Sequence, residues 1–190
     1  MSGHLEVITG PMFAGKSEEL IRRLRRAAIA GQNAIVFKPK IDNRYSSEEV
    51  VSHNGNKIKA YSIAIDDKSW DDMADILDFV EEPDVIAIDE VQFFNSEMVD
   101  TIKRNIEFKK VIVSGLDMDF RRDSFGIMPE LLAIAKEVLK LTAICQVCGE
   151  DAMYTQRLLN GKPAPYEGET VIVGATEQYE ARCGNCHERG

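Results

Sequence analysis

Three groups of residues in this chain combine types and spacings that do chemistry. Residues 10–17 read G-P-M-F-A-G-K-S and fit G-x-x-x-x-G-K-[ST] without a mismatch. Gly10 and Gly15 let the backbone turn its N–H groups inward, with Pro11, Met12, Phe13 and Ala14 as the body of the loop. Lys16 is then placed to reach β- and γ-phosphates, and Ser17 to ligate Mg²⁺. This is the chemistry of triphosphate capture. It does not separate a kinase from a motor or a switch.

The second group is Asp89 and Glu90, which close an apolar run in I-A-I-D-E-V-Q-F-F. An acid at the carboxyl end of a strand beside a phosphate loop approaches the Mg²⁺ shell, and Asp89 suits that position. Glu90 is suited to take the proton from an acceptor hydroxyl as it becomes a phosphoryl ester. The competing reading is a pair of polar residues that merely end a strand. The third group is cysteine. All four cysteines fall in two C-x-x-C pairs, Cys145/Cys148 and Cys183/Cys186. Each pair can form a knuckle presenting two thiolates to one tetrahedral Zn²⁺. Four thiolates leave no open position, so such a site is structural. A redox pair is the competing reading, but neither pair has a thioredoxin-like setting. His187, next to Cys186, reads as a bystander rather than a ligand.

These residues need elements to hold them. Leu5–Thr9 reads as a strand leading into the glycine loop. A helix follows from Ser17, with Leu20, Ile21, Leu24, Ala27 and Ala28 on one face and Gly31 as its stop. Ala34–Phe37 is an apolar strand ended by Lys38 and Pro39. Residues 42–62 are polar and irregular and read as a surface loop. Trp70, Met73, Leu77 and Val80 recur at helical spacing. Val85–Asp89 and Val111–Gly115 are near-continuous apolar strands, with an amphipathic helix between them marked by Met98, Val99, Ile102 and Ile106. A further helix is expected from Pro129, a favourable first-turn residue, through Leu131, Leu132, Ile134, Ala135 and Val138. Strands apolar on both faces, alternating with helices, predict an α/β fold: a P-loop, RecA-like parallel sheet with helices on both faces.

The pattern changes near Leu141. Helical periodicity fades, and Asn160-Gly161 marks a hairpin turn. We therefore expect a P-loop nucleotide-binding unit over residues 1–141. A small zinc-binding β domain is expected over 142–190, its long loop pinned at the base by the metal. The formal charge of −9 and the pI near 4.9 disfavour nucleic acid as a partner. Within residues 141–190 acidic side chains outnumber Arg157, Lys162, Arg182 and Arg189, which argues against a zinc-ribbon nucleic-acid binder. No apolar run approaches the ~20 residues of a membrane span. The N-terminus lacks the basic and apolar regions of a signal peptide, so the expected compartment is the cytoplasm, where thiols stay reduced or metal-bound. The Arg22, Arg23, Arg25 and Arg26 cluster reads as a solvated or subunit-contact face.

Taken together, the motifs resemble type II thymidine kinases over nearly the whole chain. The resemblance rests on G-P-M-F-A-G-K-S, on P-K-I-D-N-R-Y at 39–45, on I-D-E-V-Q-F-F at 88–94 and on G-L-D-M-D-F-R at 115–121. It continues through V-I-V-G-A at 171–175 and Y-E-A-R-C-G-N-C at 179–186. The chain departs at Ser124, where many relatives carry proline, and His53 lies in a loop with no assigned role.

The resemblance implies transfer of the γ-phosphoryl of MgATP to the 5′-hydroxyl of deoxythymidine, with Glu90 as general base. It implies nucleotide contacts from Asp42, Arg44, Asp89 and Gln92, and an aromatic surface for thymine at Phe120. Thr170, Val171, Ile172, Val173 and Gly174, with Tyr179, would form a lasso-like loop over the nucleoside, anchored by zinc. A homotetramer and feedback inhibition by thymidine triphosphate are further implications. Arg121 or Arg122 would be placed to stabilise transferring charge. The class that competes with a kinase is a hydrolytic P-loop switch serving a macromolecular partner.

Overall fold

A computed structural model describes residues 3–40, 49–51, 55–66, 69–80, 82–168, 170 and 177–190. In chain order the elements are β1 (His4–Thr9), α1 (Lys16–Ile29), β2 (Ala34–Pro39), β3 (Glu49–Val51), β4 (Lys57–Lys59) and β5 (Tyr61–Ile63). Then come α2 (Ser69–Phe79), β6 (Val85–Ile88), a 3-10 turn at Val91–Phe93, α3 (Ser96–Asn105), β7 (Lys110–Gly115), α4 (Met128–Ile134) and β8 (Glu137–Lys140). The C-terminal part holds β9 (Ala143–Ile144), β10 (Asp151–Ala152), β11 (Tyr154–Leu159), β12 (Lys162–Pro163) and β13 (Glu177–Arg182).

Six strands form one parallel sheet in the order β5-β2-β6-β7-β1-β8. The four residues of β6 are all buried, as their unbroken apolar run requires. Alternate residues serve opposite layers. Leu5, Val7, Ile35, Phe37, Ile86, Ile88, Val111 and Val113 pack with Met73 of α2, Met98, Val99 and Ile102 of α3 and Leu131 of α4. Ile8, Val36, Val85, Ala87 and Ile112 pack on the other side with Leu20, Ile21, Leu24 and Ala27 of α1. The sheet is therefore covered on both faces. Among the described residues, no helix is long and apolar enough to cross a membrane.

Two expectations need correction. The predicted helix past Pro129 does not reach Val138. It stops at Ile134, Ala135 turns to extended backbone (φ −69°, ψ 136°), and Lys136 N–H donates to Leu5 C=O. The chain thereby joins the sheet, with Val138 opposite Val7 in β8. Sheet pairing outweighs local helical spacing at an edge that would otherwise be open. The segment 42–62 is not simply loop: its described residues include the antiparallel pair β3–β4 and the start of edge strand β5. Its apolar residues are few, but Val50 and Ala60 are buried on the α1 layer, with Ile58 packed against them. β2 also continues through Lys38 to Pro39, opposite Ile63 at the sheet margin, a position where proline's missing donor is tolerated.

The C-terminal strands form separate small antiparallel sheets. The predicted Asn160-Gly161 turn is present: both residues have positive φ (52° and 75°) and Leu159 pairs with Lys162.

Candidate active site and cysteine cluster

Parallel register brings the ends of the central strands to one rim, with Thr9 opposite Gly115 and Ile88 between Phe37 and Val113. Concavities at this end of a parallel sheet are where ligands bind. The glycine loop leaves β1 there and enters α1 through Gly15, whose φ of 81° is left-handed. A β-carbon at Gly15 would meet nothing within 4 Å, so the requirement is conformational rather than steric.

Lys16, in the first turn of α1, is buried, and its Nζ donates to Pro11 C=O at 2.9 Å. Burial pushes its pKa down, while Glu90, Asp89 and Asp117 pull it back up. Ser17 Oγ donates to Asp89 Oδ2 at 3.2 Å. Asp89 is fully enclosed by its surroundings: Oδ1 accepts from the Ser114 hydroxyl and from Glu90 N–H at 3.1 Å. Burial and the adjoining Glu90 charge push its carboxyl up to about 6. A hydroxyl against a carboxylate is a hard oxygen set of the kind that suits Mg²⁺, so these two residues fit the ion that a triphosphate brings.

Glu90 is half-buried and sits in the left-handed region (φ 52°, ψ 42°), an unusual place for a residue with a β-carbon. Its Oε2 accepts from Gln92 Nε2 at 2.5 Å. Phe93 and Phe125 meet edge to face close by, with centroids 5.4 Å apart.

Two further acids belong to this rim and were not singled out by sequence reasoning. Asp117 pairs with Lys140 at 2.6 Å. Asp119 pairs with Arg121 at 2.8 Å and accepts from Arg121 N–H and Asp123 N–H. Ser114 was also missed, though a lone hydroxyl in the buried run V-I-V-S-G is a legible signal. Thr155 had no such signal: its Oγ1 accepts from Met12 N–H at 3.0 Å, from 143 positions away in the chain.

Phe120 is 7% exposed, with the Arg121 and Arg157 guanidiniums over its ring at 4.6 and 4.9 Å from the centroid. Arg121 also donates to Tyr166 C=O at 2.7 Å, to Thr170 Oγ1 at 2.9 Å and to Gly168 C=O. Thr170 is thus joined to the Phe120 segment through Arg121. Tyr179 is half-buried on β13, opposite Arg157 of β11. Asp42, Arg44, His53, Val171, Ile172, Val173 and Gly174 lie outside the described residues.

The four cysteines converge. Their Sγ atoms lie within 4.8 Å of one another. Each knuckle closes on backbone hydrogen bonds, Gly149 N–H to Cys145 C=O and Cys186 N–H to Cys183 C=O. Four sulfurs on two such turns fit a tetrahedral Zn²⁺. His187 is buried beside them but engaged elsewhere. Its Nδ1 faces the Arg122 Nε donor at 3.1 Å and so accepts, which leaves the proton on Nε2 for Phe120 C=O at 2.9 Å. Burial and the Arg122 charge lower its pKa, consistent with this neutral tautomer. Ala14 of the glycine loop packs against Ala143, Cys145, Ala152, Ala181 and Cys183, so the phosphate loop leans on the cysteine cluster.

The arginines of α1 divide differently from expectation. Arg22 is exposed, but Arg23 is largely enclosed and paired with Glu6, Glu19 and Glu137. A helical turn of four basic residues looks uniformly solvated in one dimension; the approach of β1 and β8 to one side of α1 singles out Arg23.

A phosphate loop, two carboxylates at a strand end and a zinc-type cysteine quartet stand here in one molecule, in the order read from the chain. The family model for thymidine kinase matches residues 3–187, and the chain belongs to that family, whose reaction is the phosphorylation of thymidine.

Proposed function

We propose that this protein transfers the γ-phosphoryl group of MgATP to the 5′-hydroxyl of deoxythymidine, giving dTMP and ADP for nucleotide salvage. The observation that carries this reading is the Ser17–Asp89 hydrogen bond, with Lys16 buried beside Asp89 and Glu90. Lys16 and the backbone N–H groups of residues 13–17 hold the β- and γ-phosphates. Ser17 and Asp89 hold the Mg²⁺ that accompanies ATP; when bound, the ion neutralises charge on the β- and γ-oxygens. Glu90 accepts the proton of the 5′-hydroxyl while that oxygen bonds to the γ-phosphorus and the bond to the β,γ-bridging oxygen breaks, releasing ADP. Most of the rate enhancement then comes from positioning and electrostatics.

On the nucleotide side, Asp42 and Arg44 join Asp89. On the nucleoside side, Phe120 contributes apolar wall for thymine, and Thr170–Gly174 with Tyr179 close over the base. The cysteine quartet holds structural zinc and fixes the base of that loop. A division into a P-loop unit (1–141) and a zinc unit with the substrate-covering loop (142–190) follows from this assignment. We extend the proposal to a cytoplasmic homotetramer inhibited by thymidine triphosphate.

The test is steady-state ADP production from MgATP with no acceptor, thymidine, deoxycytidine or deoxyguanosine. Stimulation by thymidine alone is expected. Equal rates with every acceptor, using zinc-replete protein, would replace the kinase with a hydrolytic switch. Metal analysis of the purified protein should find one zinc per chain, released when Cys183 is changed to Ser.

A further inference from the structure

Gln92 is 2% exposed and sits between two fixed partners. Its Oε1 accepts from Leu116 N–H at 3.1 Å, and its Nε2 donates to Glu90 Oε2 at 2.5 Å. The orientation of the amide is decided by chemistry. Leu116 offers only a donor, so the atom facing it is the oxygen, and the NH₂ must face Glu90. The surroundings leave room for this side chain and for little else. A β-carbon at Gly115 would lie 2.5 Å from Gln92 Oε1, and one at Gly126 would collide with the Gln92 carbonyl oxygen.

Glu90 itself is held at both ends. Asp89 Oδ1 accepts its N–H at 3.1 Å, supporting the left-handed backbone, and Gln92 grips its carboxylate. A non-glycine residue in this region carries strain that the neighbours must offset. Phe93 N–H also donates to Glu90 C=O at 3.2 Å, so the backbone keeps its ties without the Gln92 donor, while the carboxylate loses the hydrogen bond that fixes its rotamer among the described residues.

We propose that Gln92 is a positioning residue for phosphoryl transfer: it fixes the Glu90 carboxylate in place, acting through Glu90 and not on the nucleotide. This replaces the nucleotide-side contact read from its sequence position, and it rests on the reading of Glu90 as the base. A misplacement of about 1 Å in a reacting group costs on the order of 100-fold in rate, and a general base contributes about 100- to 10,000-fold.

The experiment is a double-mutant cycle on kcat and on both KM values, using the full chain with zinc. Gln92→Met keeps the volume and removes the donor; Gln92→Glu keeps the shape and the acceptor for Leu116. Each should lower kcat by about 100-fold with the KM for MgATP within about twofold. Glu90→Gln alone should lower kcat by about 1,000-fold. In the Glu90→Gln background, Gln92→Met should cost less than about twofold more, because the carboxylate it positions is gone. A further tenfold loss in that background would show an independent role and overturn the proposal. So would a raised KM for MgATP with kcat preserved, which marks a nucleotide contact. If Glu90→Gln itself turns over normally, the base reading fails. If Glu90→Gln is slow but both Gln92 variants are fast, only the positioning role fails.

Discussion

Two charged clusters lie against the same parallel sheet, and burial affects them in opposite ways. At the carboxyl end of the strands, Asp89 is pushed up to about 6 and Lys16 is pushed down, both chiefly by burial. Toward the amino end, Glu6 is also buried, yet its pKa falls. Desolvation alone would raise it; hydrogen bonds from Lys110 and Arg23 outweigh that. Lys110 lies 2.6 Å from Glu6 Oε1, and Arg23 reaches Glu6, Glu19 and Glu137 together. The amino-end cluster ties β1, α1, β7 and β8 and is electrostatically complete. The carboxyl-end cluster gathers three carboxylates about Lys16; Lys140 pairs with Asp117 and Lys38 acts on Asp89, yet burial and the Glu90 charge still hold Asp89 up. Under the proposed function, a site that takes a triphosphate and its cation keeps unspent electrostatic potential, and does so at the expense of stability.

The sharpest way to break this comparison is Asp89→Asn. Turnover should fall at least about 100-fold, because the charge proposed to help hold Mg²⁺ is lost. Stability in the absence of nucleotide should instead rise by about 3 kcal/mol, since a carboxyl raised from 3.8 to about 6 is disfavoured when ionised by ~1.4 kcal/mol per pKa unit. Chemical denaturation beside a kinetic assay reads both; a destabilised variant would show that the carboxyl-end cluster is not strained.

The counterpart at the amino end is Arg23→Met. It removes one partner from each of two enclosed glutamates, which keep Lys110 and Arg22, and should cost about 1–2 kcal/mol of stability, with kcat within about twofold of the parent. Loss of turnover in folded protein would show that the two clusters are coupled.

The pH dependence sharpens the contrast because the signs oppose. Glu6 is held low by Lys110 and Arg23, and Glu19 is held at about 2 by Arg22 and then Arg23. Their folded-state values lie below the unfolded value of 4.5, so their contribution is complete above that pH and is lost as pH falls toward 2. Asp89 works the other way, its cost appearing as pH rises from 3.8 through about 6. The melting temperature should therefore drop below pH ~4.5 in the parent and drop less in Arg23→Met. Asp89→Asn should differ from the parent more at pH 7 than at pH 4. The smallest effect belongs to Arg22→Ala: Arg22 is exposed and, among the described residues, bonded only to Glu19, and its loss should move the melting temperature by no more than about 2 °C.

Legibility in the sequence followed the range of the interaction. The glycine loop, the buried strands β6 and β7 and the cysteine pairs are each written in adjacent residues. The Asn160-Gly161 turn is another such local signal. The reading failed at β8, where Val138 continues a helical spacing that sheet pairing overrides. It failed again at β3–β5, whose short strands carry few apolar residues and depend on the α1 layer for burial. It treated Arg23 like its neighbours because only the packing of β1 and β8 against α1 distinguishes them.

By itself the sequence determined which chemical groups are available, because turns, apolar runs and ligand spacings act over a few bonds. It also determined the kind of fold, since strands apolar on both sides must be covered on both sides. Only the tertiary structure decided which polar groups meet. Ser17 reaches Asp89, Gln92 lies between Glu90 and Leu116, Met12 meets Thr155, and the glycine loop rests on the cysteine cluster. These contacts depend on strand order and register, which bring distant segments to one rim, and no local periodicity encodes that order.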